Sequence, residues 1–193
     1  MRVNPRFLRQ LLLLVAAIGL LAGCFEAAPD GWSTVITCPV TGPVRFTNDW
    51  HAPRAGGLLH EGNDIFAPRG TWNVAAVDGR TRISIGERQG NGLWLTGRDG
   101  TQYFYAHFDA YWGGERDVVA GELIGFTGNT GDAQFTDTHT HFEIHPNGGP
   151  AVNPYPTLVA SCLNRTSGAD STGTTAPVDG FAGAAPAGVP TPR

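Results

Sequence analysis

The chain has 193 residues and carries a formal net charge of −4, with 13 basic side chains, all arginine, against 17 acidic ones. An acidic balance of this kind makes the chain a poor candidate for binding nucleic acid by neutralising phosphates, and no nucleic-acid partner is expected. About 140 residues separate Cys24 from a compositionally distinct tail, enough for one globular domain with a real core.

The N-terminus reads as an address. Arg2, Arg6 and Arg9 precede an apolar run over residues 11–21, broken only by Gly19, and Leu21-Ala22-Gly23-Cys24 follows. A basic start, a short apolar segment and small residues before a cut describe an export signal. The run is shorter than the about 20 apolar residues that a membrane span needs. The cysteine directly after Leu-Ala-Gly resembles the lipobox of bacterial lipoproteins. That resemblance implies that 1–23 is a signal peptide and that Cys24 is the first mature residue and the lipid anchor. The protein would then be exported to the bacterial cell envelope, on a membrane facing the wall. Two or more acyl chains give stable attachment where one is marginal. The alternative is an ordinary cleaved signal with Cys24 unmodified. Loss of three arginines from a stretch without acids takes the formal charge from −4 to −7. Of the other cysteines, Cys38 and Cys162 bracket nearly the whole domain, and an even pair in an exported chain predicts a disulfide.

Residues 24–32 read as a tether and 33–163 as the domain. Apolar-alternating or β-branched runs occur at 33–36, 44–47, 72–77, 81–85, 92–95, 102–107, 118–120, 123–127 and 138–145. Asp78-Gly79, Asn91-Gly92 and Asp99-Gly100 lie between them and favour the positive φ angles of tight hairpin turns. This predicts an all-β domain, mainly antiparallel sheets forming a sandwich or barrel. From residue 164 to 193 Gly, Ala, Thr, Ser and Pro dominate, and that stretch reads as a disordered tail.

The chemistry concentrates at Thr138-His139-Thr140-His141-Phe142-Glu143-Ile144-His145. On a β-strand, His139, His141, Glu143 and His145 share one face while Phe142 and Ile144 point toward a core. Such a face suits a metal site or an imidazole pair, and equally a polar edge strand facing solvent. His60 and Asp64, four apart beside Gly62 and Asn63, share a face if extended and are good zinc ligands. Taken alone they could be a surface ion pair. The strand at 102–107 places Tyr103, Tyr105 and His107 together, where His107 could equally be a satisfied core histidine. Glu143 can orient a ligand imidazole or be a plain solvated carboxylate. His145 reads as an exposed strand end, and the 115–117 turn and 134–137 loop read as groove rims.

Together, His60-x-x-x-Asp64 with Ala67-Pro68-x-Gly70, Tyr105-Ala106-His107, Gly128-Asn129-x-Gly131 and His139-x-His141-Phe142-Glu143-Ile144 form an ordered set. The set resembles the lysostaphin-type (LytM-domain) peptidoglycan metalloendopeptidases over about residues 39–155. The departures are Thr138 and Thr140 around the first histidine of the last motif, and Glu61-Gly62-Asn63 within the first. The resemblance implies one Zn²⁺ held by His60, Asp64 and His141, with His107 and His139 flanking a metal-bound water without ligating. The implied activity is hydrolysis of amide bonds in peptidoglycan stem or cross-bridge peptides, and the chain is expected to be a monomer. The alternative is a non-catalytic envelope protein of the same fold that binds peptidoglycan or activates another wall hydrolase.

Overall fold

The computed structural model describes residues 35–163. The signal peptide, Cys24, the tether and the 164–193 tail lie outside the described residues, as do the first two positions of the 33–36 run. The domain is built from nine strands in two antiparallel sheets. The larger sheet takes β1 (Asn63–Phe66), β9 (His139–His145), β5 (Gln102–Ala106), β4 (Gly90–Gly97), β3 (Gly79–Gly86) and β7 (Asp117–Val118), in that order across the sheet. The smaller takes β2 (Trp72–Val74), β8 (Leu123–Thr127) and β6 (Phe108–Tyr111). One short helix, α1 (Tyr155–Leu158), closes the domain and runs on into a π-turn, Val159–Leu163.

The core lies between the sheets and follows from the period-two pattern. Register pairs Tyr105 with Phe142 and Tyr103 with Ile144, and all four are completely buried. Leu93 and Leu95 extend this layer through β4, while Phe108 and Ile124 face it from the smaller sheet. Each such side chain contributes about 1.5–3 kcal/mol by leaving water. The Tyr105 hydroxyl donates to the Val74 carbonyl at 3.1 Å and accepts from the Ala76 N–H at 2.9 Å, so one buried phenol ties β5 to the end of β2. Cys38 and Cys162 form a disulfide across a separation of 124 residues, joining the start of the described chain to its final turn.

Two expectations are corrected. Residues 35–36 and 44–47 are not strands; of them only Arg45 joins a sheet, through an isolated bridge to Phe66. His107 does not face with Tyr103 and Tyr105. β5 ends at Ala106, and His107 takes a φ of 66°, a left-handed conformation that breaks the alternation. That single residue turns the imidazole to the far face of the sheet and sends the chain into β6.

Candidate metal centre

The site lies on the face of the larger sheet that points away from the core. β9 presents His139, His141, Glu143 and His145 there, and the β1 register sets Asp64 opposite His141 and Phe66 opposite His139. His60 arrives from the loop before β1 and is 4% exposed. Gly62 lets that loop close down: a Cβ at this position would lie 2.5 Å from the Phe142 carbonyl oxygen and 2.7 Å from Cε1 of His141.

Three donor atoms converge. His60 Nε2 lies 2.8 Å from His141 Nδ1 and 3.1 Å from Asp64 Oδ1, and His141 Nδ1 lies 3.1 Å from the same oxygen. Each is oriented from behind. His60 Nδ1 donates to the Asp49 carbonyl at 3.0 Å, with the Asp49 carboxylate at 3.3 Å, which turns Nε2 toward the other two donors. Arg54 donates to Asp64 Oδ2 at 2.7 Å, leaving Oδ1 to face the histidines. Glu143 Oε1 accepts from His141 Nε2 at 2.7 Å.

Electrostatics match this layout. Burial alone would lower the His60 pKa, but the hydrogen bonds and charges of Asp49 and Asp64 overcome it and raise it to about 9. Burial likewise opposes ionisation of Asp64, and His141 and His60 together drive it well below the usual carboxylate range. His141 is raised against its burial by Asp64 and Glu143. The carboxylates that would hold a proton here are equally disposed to hold a cation. For a tetrahedral zinc with bonds of about 2.0–2.1 Å, ligand atoms stand about 3.3 Å apart, and the observed edges of 2.8–3.1 Å fit that ion. His60, Asp64 and His141 are also the residues whose donor atoms are grouped closely enough to hold a metal among the described residues.

Two further imidazoles stand alongside. His107 Nδ1 donates to the Thr130 carbonyl and His139 Nδ1 to the Asp137 carbonyl, each at 2.8 Å, which leaves both Nε2 atoms as the basic nitrogens. Their ring centres are 4.9 Å apart, and His107 lies 6.1 Å from His141. Burial, reinforced by the charges of His139 and His141, lowers His107 to about 4, so it is neutral at pH 7. His145 is not solvated at a strand end. Its Nε2 donates to Glu143 Oε2 at 2.6 Å, its Nδ1 to the Gly149 carbonyl at 2.9 Å, and the Trp94 ring packs against it at 5.1 Å. Burial would lower the His145 pKa, but both partners only accept, and Glu143 and the Gly149 carbonyl raise it.

The 115–117 turn does not rim this site. Asp117 pairs with Arg80 at the β7 edge, four strands or roughly 19 Å from β9 at about 4.8 Å per strand. The 134–137 loop does flank it, through the Asp137 carbonyl. Asp49, Arg54 and Thr130 carry no signal in the sequence, because loop closure over the sheet, not local spacing, brings them in.

A convergent His-Asp-His donor set that could hold a metal ion, with two further imidazoles beside it, lies on the outer face of an antiparallel sheet. The chain belongs to Peptidase family M23, whose sequence model matches residues 58–154. Over 99 residues it is 40% identical to the DD-carboxypeptidase/endopeptidase Mpg of Neisseria meningitidis serogroup B, a match covering 50% of this chain and 22% of that protein. Among solved structures, the catalytic domain of the antimicrobial peptidase lysostaphin from Staphylococcus simulans is similar at 28% identity and a TM-score of 0.54, over 60% of this chain and 92% of that one. A putative glycyl-glycine endopeptidase LytM from Ruminococcus gnavus shares the fold with a TM-score of 0.58, at 24% identity over 82% of this chain and 72% of its own.

Proposed function

We propose that the protein is a zinc metalloendopeptidase that hydrolyses amide bonds in peptidoglycan stem or cross-bridge peptides. The observation that carries this reading is the 2.8–3.1 Å triangle of His60, Asp64 and His141 with His107 and His139 beside it. The similarity to a DD-carboxypeptidase/endopeptidase and to the lysostaphin catalytic domain supports the substrate class. We extend it to the address: export with Cys24 as a lipid anchor would put the site against the wall.

Zinc, when bound, supplies Lewis-acid polarisation of the scissile carbonyl and acidifies water. The chain's own residues do the rest. Asp49, Arg54 and Glu143 hold His60, Asp64 and His141 in the orientation that aims one donor atom of each at the same point. His107, neutral at working pH, has a bare Nε2 that can take a proton from the attacking water. His139 Nε2, once protonated, can donate to the developing oxyanion or to the leaving amine. The two imidazoles are close enough to exchange these roles.

The test is metal analysis together with turbidity clearing of purified cell walls. Stoichiometric zinc and chelator-sensitive clearing, both abolished by His141→Ala, are expected. A zinc-free protein that binds walls without releasing amines refutes the reading in favour of a non-catalytic wall binder.

A further inference from the structure

Next to the register partner of His139 the surface holds a cavity of about 420 Å³, lined by Val44, Arg45, Phe66, Pro68 and Asp137 among others. It is tied to the site by main chain and ring. Arg45 exchanges two backbone hydrogen bonds with Phe66, at 3.1 and 2.9 Å, so its Cα is fixed to the end of β1. Phe66 is the register partner of His139 and its ring lies 5.2 Å from that imidazole. The Arg45 guanidinium sits 4.6 Å over the Phe66 ring, and the only acid near it is Asp137 at 3.8 Å, among the described residues.

That ion pair is loose. The two side chains are 71% and 83% exposed, and pairs of this kind are weakly coupled in water. A guanidinium stacked on an aromatic floor and lightly held by one carboxylate is free to take a better one, in the bidentate geometry that arginine favours. The position selects which carboxylate. His139 is one of the two imidazoles able to return a proton to the leaving nitrogen. In an amino acid, the α-carboxylate is separated from that nitrogen by a single carbon. A free carboxylate on the leaving residue can therefore extend past Phe66 toward Arg45, which stands on the far side of Phe66 from His139.

We propose that this pocket is a carboxylate subsite: Arg45 pairs with the free α-carboxylate of the residue that bears the leaving amine, and Phe66 and Val44 receive its hydrocarbon part. The assignment rests on the peptidase reading for the identity of the leaving residue. It predicts preference for scissile bonds whose leaving residue ends in, or branches to, an unblocked carboxylate.

The test is calorimetric binding to the full chain, with zinc added, of a peptide whose scissile amide is replaced by a methylene-amine. The peptide is used in two forms, with a free carboxylate or a carboxamide on the leaving residue. The carboxylate form should bind about tenfold more tightly, the factor that about 1.4 kcal/mol gives. The difference should fall to within about twofold in Arg45→Gln, persist in part in Arg45→Lys and widen in Asp137→Asn, where the competing acid is gone. Circular dichroism on each variant checks that the fold is intact. Equal binding of the two forms, no binding of either, or discrimination that survives Arg45→Gln overturns the assignment. No bond is broken, so the outcomes separate. A chain that discriminates but releases no amine from walls refutes the peptidase reading alone, and one that clears walls without discriminating refutes the subsite alone.

Discussion

Gly62→Ala adds one methyl group where the structure has no room for it. The new Cβ would meet the Phe142 carbonyl oxygen at 2.5 Å, His141 Cε1 at 2.7 Å and His141 Nε2 at 2.9 Å. The carbonyl belongs to β9, which is paired on both sides by β1 and β5, and cannot withdraw. Relief of the carbonyl contact displaces the loop that carries His60, and the His141 imidazole must itself retreat by up to about 0.8 Å to reach ordinary contact at about 3.5 Å. It is not free to do so, because Nε2 is held by Glu143 at 2.7 Å while Nδ1 points at His60 and Asp64. Metal–ligand distances tolerate about 0.2 Å, so the shift removes a donor. Outer partners alone are worth about 10–100-fold in affinity, and a displaced ligand should cost at least the upper figure. Overpacking should lower stability by about 1–3 kcal/mol in addition. Gly70→Ala is the control, since its φ of +79° is unfavourable for alanine yet nothing lies within 4 Å. It should cost about 1 kcal/mol and leave zinc affinity alone. Competition against a chromophoric chelator measures affinity, and thermal melts measure stability. Zinc affinity in Gly62→Ala within threefold of the parent would refute the reasoning.

Reducing the Cys38–Cys162 bridge should cost about 5 kcal/mol on the chain-entropy account, a large share of the about 5–15 kcal/mol typical of a domain. Denaturant titration with and without reductant reads this directly, and a loss below about 1 kcal/mol contradicts it. Tyr105→Phe deletes the hydroxyl that joins β5 to Val74 and Ala76, and should lower stability by about 1–3 kcal/mol without changing zinc affinity. A comparable loss of zinc binding would show that the sheets and the site are not separable. Glu143 is held at about 2, its burial outweighed by His141 and His145. A carboxyl more acidic folded than unfolded stabilises fully above its usual pKa of about 4.5, and that contribution vanishes as pH falls toward 2. In chelator, the parent's melting temperature should fall more steeply across that window than that of Glu143→Gln, and parallel slopes would sink the assignment.

What could be read in the sequence followed from short-range rules. Leu123–Thr127 is a strand over the residues its pattern predicts, but of the three turn signals only Asp99-Gly100 takes the expected positive φ, while Gly79 opens β3 and Asn91-Gly92 lies inside β4. Alternation alone put Phe142 and Ile144 in the core and His139, His141 and Glu143 opposite them. The convergence of His60 and Asp64 with His141 was legible only as a motif, because no local pattern links residues 81 positions apart. Asp49 and Arg54 look like ordinary loop charges until the 49–60 segment folds back over β1. The facing of His107 was misread because strict alternation has no place for one left-handed residue at a strand end. The alternation sets Glu143 beside His145 on one face, but the Gly149 carbonyl that binds its other nitrogen arrives only after the chain turns past Pro146.

The left-handed backbone at His107 also bears on how this position can vary. Histidine tolerates that conformation better than most residues with a side chain, and β-branched residues hardly tolerate it at all. Selection therefore acts there twice, once on the imidazole and once on the bend that carries the chain from one sheet to the other. Relatives that abandon chemistry at this position should drift toward asparagine or glycine sooner than toward valine or isoleucine. A knockout meant to isolate the imidazole is for the same reason better made as His107→Asn than as His107→Ala, which would unsettle the passage between sheets while it removes the ring.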